Sequence, residues 1–330
     1  MANMLMQAAI LEKIGSPFRI ATVARPSPLA GQVLVRIAAS AVNPLDLKIR
    51  AGGAAHARQL LPAILGLDMA GTVEAVGPGV TGFCRGDEVY GMTGGVGGIQ
   101  GSLAEYAAVD ERLLAIKPAK LSMREAASLP LAFITAWEGL VDRVGIQPDQ
   151  TVLIQGGAGG VGHIAIQIVL ATGARAYATG STRDQVLIER LGATWIDRNS
   201  EAKDYVSEHT DGRGFDIVYD TVGGAVLDAS FNAVCRFGHV VSALGWGTHA
   251  LAPLSFRAAS YSGVFTLLPL LTGDGRTRHG EILREATRLA EAGRLAPKVD
   301  PRRFTLATVG EAYAALEGRK TDGKLVVDIA

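Results

Sequence analysis

The sequence predicts an α/β protein in two parts: a section of short strands and glycine turns, then a parallel sheet covered by helices on both faces. Three observations carry this. From Thr151 onward the chain alternates short apolar runs with helical patterns, the grammar of parallel strands joined by crossover helices. Before Thr151, short strands punctuated by Gly and Pro read as a small β-barrel. At the junction, TVLIQGGAGGVGHIAIQ (151–167) sets Gly157, Gly159 and Gly162 in a G-x-G-x-x-G pattern, after a strand and at the opening of a helix.

In the first section, 5–11 and 18–23 read as a hairpin-like opening, turned at Gly15–Pro17. The stretch 32–42 alternates, with Val33, Val35 and Ile37 on one face, and ends at Asn43-Pro44; 45–50 suggests a short helix. Strands follow at 70–80, 88–91 and 103–109. Between the last two, 92–101 is too rich in glycine for a regular element. It reads either as a surface loop or as a mobile lip over a pocket. Ser122 and Glu125 form a capping-box pair for a helix that stops at Pro130, and a second helical stretch covers 133–144. From 151 the predicted order is strand 151–155, helix 161–172, strand 174–180, helix 183–191 and strand 194–197. Helix 201–209, strand 215–219, helix 225–234 and strand 238–243 complete the alternation. Helices at 283–292 and 309–317 and a strand at 324–329 close the chain.

The 330 residues exceed one ordinary domain, and a hydrophobic content of 48% supplies substantial cores. The 32 basic residues balance the 32 acidic ones, which argues against nucleic-acid or membrane-surface binding driven by bulk charge. At 6% aromatic residues, base-stacking platforms are not expected either. Cys84 and Cys235 exclude a disulfide framework and fit a reducing cytoplasm. The first residues lack a basic leader, and no apolar run reaches membrane-spanning length.

The glycine turn carries the first chemical inference. A strand-to-helix turn built from Gly156, Gly157, Ala158, Gly159, Gly160, Val161 and Gly162 lets a pyrophosphate approach the backbone and the positive end of the helix. In NAD-binding folds an acid at the tip of the second strand holds the ribose 2′-hydroxyl. Here the tip reads Thr179, Gly180, Ser181, Thr182, Arg183, without an acid, and Arg183 or Arg198 suits a 2′-phosphate. This favours NADPH over NADH. Against it, both arginines also read as solvated surface, and Asp184 lies within one helical turn of the tip.

Several longer stretches are similar to medium-chain dehydrogenases/reductases, specifically the zinc-independent quinone-oxidoreductase group that includes zeta-crystallin. They are AVNPLDLKIRAG (41–52), LGLDMAGTVEAVGPGV (65–80), GDEVYG (86–91), GSLAEYAAV (101–109), ITAWEGL (134–140), GGAGGVG (156–162), DIVYDTVGG (216–224) and DGKLVVDI (322–329). The resemblance implies a GroES-like β-barrel catalytic domain from 1–126 and 266–330, with a Rossmann domain inserted at 127–265. It also implies a homodimer, formed through an edge strand placed near 240–244. Zinc enzymes of this fold hold their catalytic metal with Cys, His and Cys. The matching positions here are Asn43, Leu67 (followed by Asp68) and Leu131, and 92–101, where a structural zinc lobe would fall, contains no cysteine. The resemblance therefore implies no zinc.

Without a Lewis acid, a conjugated acceptor, a quinone or an α,β-unsaturated carbonyl, is the expected substrate, because it delocalises the charge that hydride transfer creates. The alternatives are an enoyl-thioester reductase of the same superfamily and a non-catalytic NADPH-binding protein. The family pattern implies that Asn43 lies near substrate and nicotinamide, although an Asn before Pro44 also reads as a turn former. Lys48 stands where relatives often carry a proton-donating tyrosine, and reads equally as a surface lysine. Asp46 reads as structural, Thr135 as facing the nicotinamide, and His163 as exposed. Val222 and the following glycines, Gly245 and Lys324 are the remaining cofactor contacts that the resemblance implies.

Overall fold

The computed structural model describes residues 4–329, which form two compact units. One runs to Leu131 and resumes at Leu267; the other is Ala132–Thr266.

In the first unit a seven-stranded sheet runs in the order Phe304–Thr305, Val326–Asp328, Gln32–Ala41, Asp68–Val76, Glu88–Met92, Leu114–Ile116. Tyr106–Asp110 also pairs with Gln32–Ala41. A three-stranded sheet orders Phe18–Ala24, Leu5–Leu11 and Ala63–Ile64. Val33, Val35 and Ile37 are fully buried, as their alternation predicts, and each such side chain contributes roughly 1.5–3 kcal/mol of apolar burial.

The glycine stretch 92–101 meets the surface-loop expectation only in part. Its first half is not a surface loop, because Met92 through Val96 are buried, whereas its tip is surface: Gly97 and Gly98 are exposed and Ile99 and Gln100 partly so. Gly95 lies so close to Gly66 that an added Cβ would meet that residue's carbonyl oxygen at 2.8 Å. At Gly95 backbone packed on backbone needs glycine for lack of room, while exposed Gly98, with open space about it, needs glycine for its positive φ.

The second unit is a six-stranded, wholly parallel sheet. Its order is Thr194–Asp197, Arg175–Gly180, Thr151–Gln155, Phe215–Asp220, Val234–Ser242, Ser260–Gly263. The order reverses between Thr151–Gln155 and Phe215–Asp220, which opens a crevice at their carboxyl ends. Helix Gly162–Ala171 is buried from Gly162 to Val169, so its sequence shows no polar face.

Three boundaries shift for identifiable reasons. The strand placed at 238–243 begins at Val234, because Val234 pairs with Phe215 ahead of a register shift. That strand is interior; the sheet edge is Ser260–Gly263, not 240–244. Pro130 opens helix Pro130–Trp137 instead of merely ending the previous one, a position where its missing N–H costs nothing. Helix Arg276–Glu291 starts a turn and more before its apolar face becomes legible.

Candidate active site

The glycine turn of the second unit is held from three sides. Thr179 Oγ1 accepts from Gly156 N–H at 3.0 Å and donates to Gln155 Oε1 at 2.9 Å. Gly157 N–H donates to the Thr179 carbonyl at 2.8 Å, and Thr221 Oγ1 donates to the Gln155 carbonyl at 2.6 Å. The glycines serve different ends. A Cβ on Gly157 would lie 2.5 Å from that of Ala178, and one on Gly162 would lie 2.1 Å from the Gly156 carbonyl oxygen. These two let helix and strands close up. Gly159 and Gly160 are exposed, and Ala158 and Val161 are partly so, where a phosphate would approach. His163 is buried, correcting its reading as exposed; its Nδ1 pairs with the Gly159 carbonyl at 2.9 Å and steadies the turn.

At the tip of strand Arg175–Gly180, Asp184 folds back. Its Oδ2 accepts from Ser181 N–H at 2.8 Å and Ser181 Oγ at 2.6 Å. The tip therefore does carry an acid, spent on a cap made by its own loop. Arg183 is exposed, and so is Arg198, whose N–H donates to the Gly180 carbonyl at 2.9 Å. Both arginines thus border the tip from separate loops.

The end of strand Phe215–Asp220 turns on Asp220, which sequence reasoning passed over. This buried carboxylate accepts from Val222 N–H at 3.0 Å, Gly223 N–H at 2.9 Å and Ser242 Oγ at 2.6 Å. Its only signal was an acid closing a strand whose centre, Ile217–Tyr219, is apolar. Gly245 is required by Tyr261, whose hydroxyl would lie 2.1 Å from an added Cβ. Thr135 Oγ1 lies 3.2 Å from Thr266 Oγ1, and the Thr135 carbonyl accepts from Tyr219 Oη at 2.9 Å.

In the first unit two of the three positions that match metal ligands, Asn43 and Leu131, converge on the carboxylate of Asp68, the residue after the third, Leu67. Asn43 Nδ2 donates to Asp68 Oδ2 at 3.0 Å, and Leu131 N–H donates to Asp68 Oδ1 at 3.0 Å. Lys324 Nζ donates to Asn43 Oδ1, and Asn43 N–H donates to Asp46 Oδ2 at 2.8 Å, fixing the start of helix Pro44–Arg50. Asn43, Asp46 and Asp68 are fully buried. Burial pushes the Asp46 carboxyl up to about 7, against the Asn43 N–H that favours its charge. It pushes Asp68 up to about 6, with Lys324 and Asn43 opposing, and it lowers Lys324 against the pull of the two carboxylates. Lys48 is exposed on the same short helix, outside this cluster. Asn43 thus spends its amide within the protein, and Asp68 and Asp46 join the candidate residues. Their signal, carboxylates among apolar neighbours, was legible only once the partners were known.

Comparison with known proteins agrees with this architecture. An alcohol dehydrogenase GroES-like domain model matches residues 29–119, and a zinc-binding dehydrogenase model matches 191–327. A 2-methylene-furan-3-one reductase of Solanum lycopersicum is 37% identical over 314 residues, covering 92% of this chain and 74% of that protein. The chain belongs to the medium-chain dehydrogenase/reductase superfamily. Another member, the chloroplastic NADPH-dependent alkenal/one oxidoreductase of Arabidopsis thaliana, is 35% identical over 90% of this chain and 72% of its own. The solved structure of an alcohol dehydrogenase superfamily protein from Novosphingobium aromaticivorans superposes with a TM-score of 0.97. It is 61% identical and covers 98% of this chain and 100% of that one.

One matched model is named for zinc, and the residues of this superfamily member do not fit that metal. Asn43, Leu67 and Leu131 offer no thiolate or imidazole, and the one amide oxygen among them already accepts from an ammonium. Among the described residues no group of three or more His, Cys, Asp or Glu converges. A dinucleotide does fit the second unit, where an exposed glycine turn opens helix Gly162–Ala171 at the crevice of a parallel sheet.

Proposed function

We propose that this chain reduces conjugated carbonyl compounds, α,β-unsaturated ketones or aldehydes and quinones, with NADPH as hydride source. The observation that carries the reading is that Asn43, Leu67 and Leu131 stand where zinc members carry metal ligands, with the Asn43 amide and the Leu131 N–H bonded to Asp68 instead of a metal. Hydride transfer to an isolated ketone concentrates charge on one oxygen, for which a metal is the strongest stabiliser. A conjugated acceptor spreads that charge over its own π system and so depends less on a metal. The substrates named for the tomato and Arabidopsis relatives support this class.

NADPH, when bound, supplies the hydride. The turn from Gly156 to Gly162 would take the pyrophosphate, with Val222 and Gly245 as the further cofactor contacts. Arg183 and Arg198 would pair with the 2′-phosphate beside Ser181. Thr135 would offer a hydroxyl toward the cofactor, while Asn43, buried and bonded to Asp68 and Lys324, would act through the network it holds. Lys48, exposed on its helix, is the candidate to deliver the proton that solvent then restores. Copies of the chain would pair along the edge strand Ser260–Gly263, three of whose residues are exposed; light scattering tests that.

The experiment is anaerobic mixing of protein and NADPH with a panel of enones, quinones and simple alcohols, following nicotinamide absorbance. Oxidation of NADPH by the conjugated acceptors is expected. Turnover confined to simple alcohols, or binding of NADPH that never consumes it, would refute the reading.

A further inference from the structure

The buried cluster of the first unit contains two carboxylates, Asp46 and Asp68, and one ammonium, Lys324, joined through Asn43. Lys324 is anchored by the backbone on both sides. Its N–H donates to the Lys298 carbonyl at 2.8 Å, its own carbonyl accepts from Asp300 N–H at 2.9 Å, and the next carbonyl, of Leu325, accepts from Val42 N–H at 2.9 Å. The side chain is therefore delivered to Asn43 by the main-chain pairing of the C-terminal return. Asn43, Asp46 and Asp68 have no exposed surface, and although the Lys324 residue is partly exposed, its ammonium is held against the buried Asn43 amide.

We propose that Lys324 stands in for the missing metal as a positioning residue, its fixed charge acting on the reaction through the Asn43 amide it orients. This rests on the reductase reading above. The amide accepts from an ammonium at Oδ1 and donates to a carboxylate at Nδ2, so both ends are charge-assisted and its orientation is set. A flipped amide would put N–H groups against the ammonium. Lys324 also offsets the buried negative charge of Asp68, which would otherwise oppose the oxyanion that hydride addition creates. The groups facing the cluster are few. Asp46 comes from helix Pro44–Arg50, Asp68 from strand Asp68–Val76, and Tyr313, which feels both Asp46 and Arg50, from helix Val309–Glu317. Among these, Lys324 is the one cation felt by both carboxylates.

The test compares Lys324→Met, Lys324→Arg and the double variant Lys324→Met/Asp68→Asn, which removes cation and counter-ion together. Lys324→Met should lower kcat about 100-fold, the scale of a misplaced or unsupported site group, with KM for NADPH within about threefold. Its kcat–pH profile should shift toward higher pH, since carboxylates that lose their cation hold protons more tightly. Lys324→Arg should retain most of kcat, and the double variant should recover at least about tenfold over Lys324→Met. An unchanged kcat and pH profile in Lys324→Met would overturn the proposal. So would a raised KM for NADPH at constant kcat, which makes Lys324 a cofactor ligand. If Lys324→Met does not fold, the other two decide: a double variant that folds but shows no recovered rate overturns the charge role. If the wild-type protein reduces no conjugated acceptor, the reductase reading fails by itself. The cluster is then read from urea midpoints against pH, where Lys324→Met must move the carboxylate-linked slope upward in pH or the network is wrong too.

Discussion

Replacing Asp46 by Asn keeps the oxygen that accepts from Asn43 N–H and removes the charge. Asp46 is fully buried; its Oδ2 accepts that bond at 2.8 Å, while Oδ1 has no hydrogen-bond partner. Burial raises its carboxyl from 3.8 to about 7, a displacement worth about 4 kcal/mol. The sign follows from proton counting. Between these values the folded chain holds a proton that the unfolded chain has released, so stability falls as pH rises. The contribution is whole below about pH 4 and gone above about pH 7. Asp46→Asn deletes that slope. Urea denaturation of the two proteins across this range should show the variant gaining on the wild type as pH rises. The gap should widen by up to about 4 kcal/mol, and the m-value should stay unchanged. Parallel curves for wild type and variant would mean that Asp46 holds no proton at neutral pH, and the burial argument would fail.

Other consequences follow from particular contacts. Gly162→Ala puts a Cβ 2.1 Å from the Gly156 carbonyl oxygen, so the turn must open; NADPH affinity by fluorescence titration should fall at least about tenfold, with stability reduced by about 1–3 kcal/mol. Arg183→Ala and Arg198→Ala should each raise the NADPH dissociation constant about tenfold and leave that for NADH unchanged, if both meet the 2′-phosphate. Equal effects on the two cofactors would assign them to the surface. Asp216, held down to about 2 by Arg213 and the Thr151 N–H and hydroxyl despite partial burial, stabilises the sheet above the usual carboxylate range. That contribution is lost as pH falls toward 2, and Asp216→Asn should flatten the acid limb of a thermal-melting profile.

The alternation from Thr151 to Ser242 was legible in the sequence because short apolar strand runs alternate with longer helical stretches across glycine and polar turns. The glycine turn was legible for a similar reason, since every constraint on it is local in the chain. The absence of thiolate and imidazole at Asn43, Leu67 and Leu131 was also readable, given the family pattern. The stretch 92–101 was not, because composition cannot distinguish glycines chosen for freedom from glycines chosen for lack of room; Gly66 decides it, from far away in the chain. Nor was the sheet edge, which depends on a four-residue strand, Ser260–Gly263, too short and too exposed to show a pattern. His163 looked like surface at the start of a helix until that helix proved to be covered on all sides.

At Asn43 the division is sharpest. The sequence by itself determined what the position lacks, since a residue type cannot be changed by folding. Only the tertiary structure decided what stands there instead. Asp68, Leu131 and Lys324 lie 25, 88 and 281 positions further along the chain, and meet only because sheet pairing and the C-terminal return bring them together. Charges buried out of water must find partners at hydrogen-bond distance, and those partners are set by three-dimensional packing, not by neighbourhood in sequence.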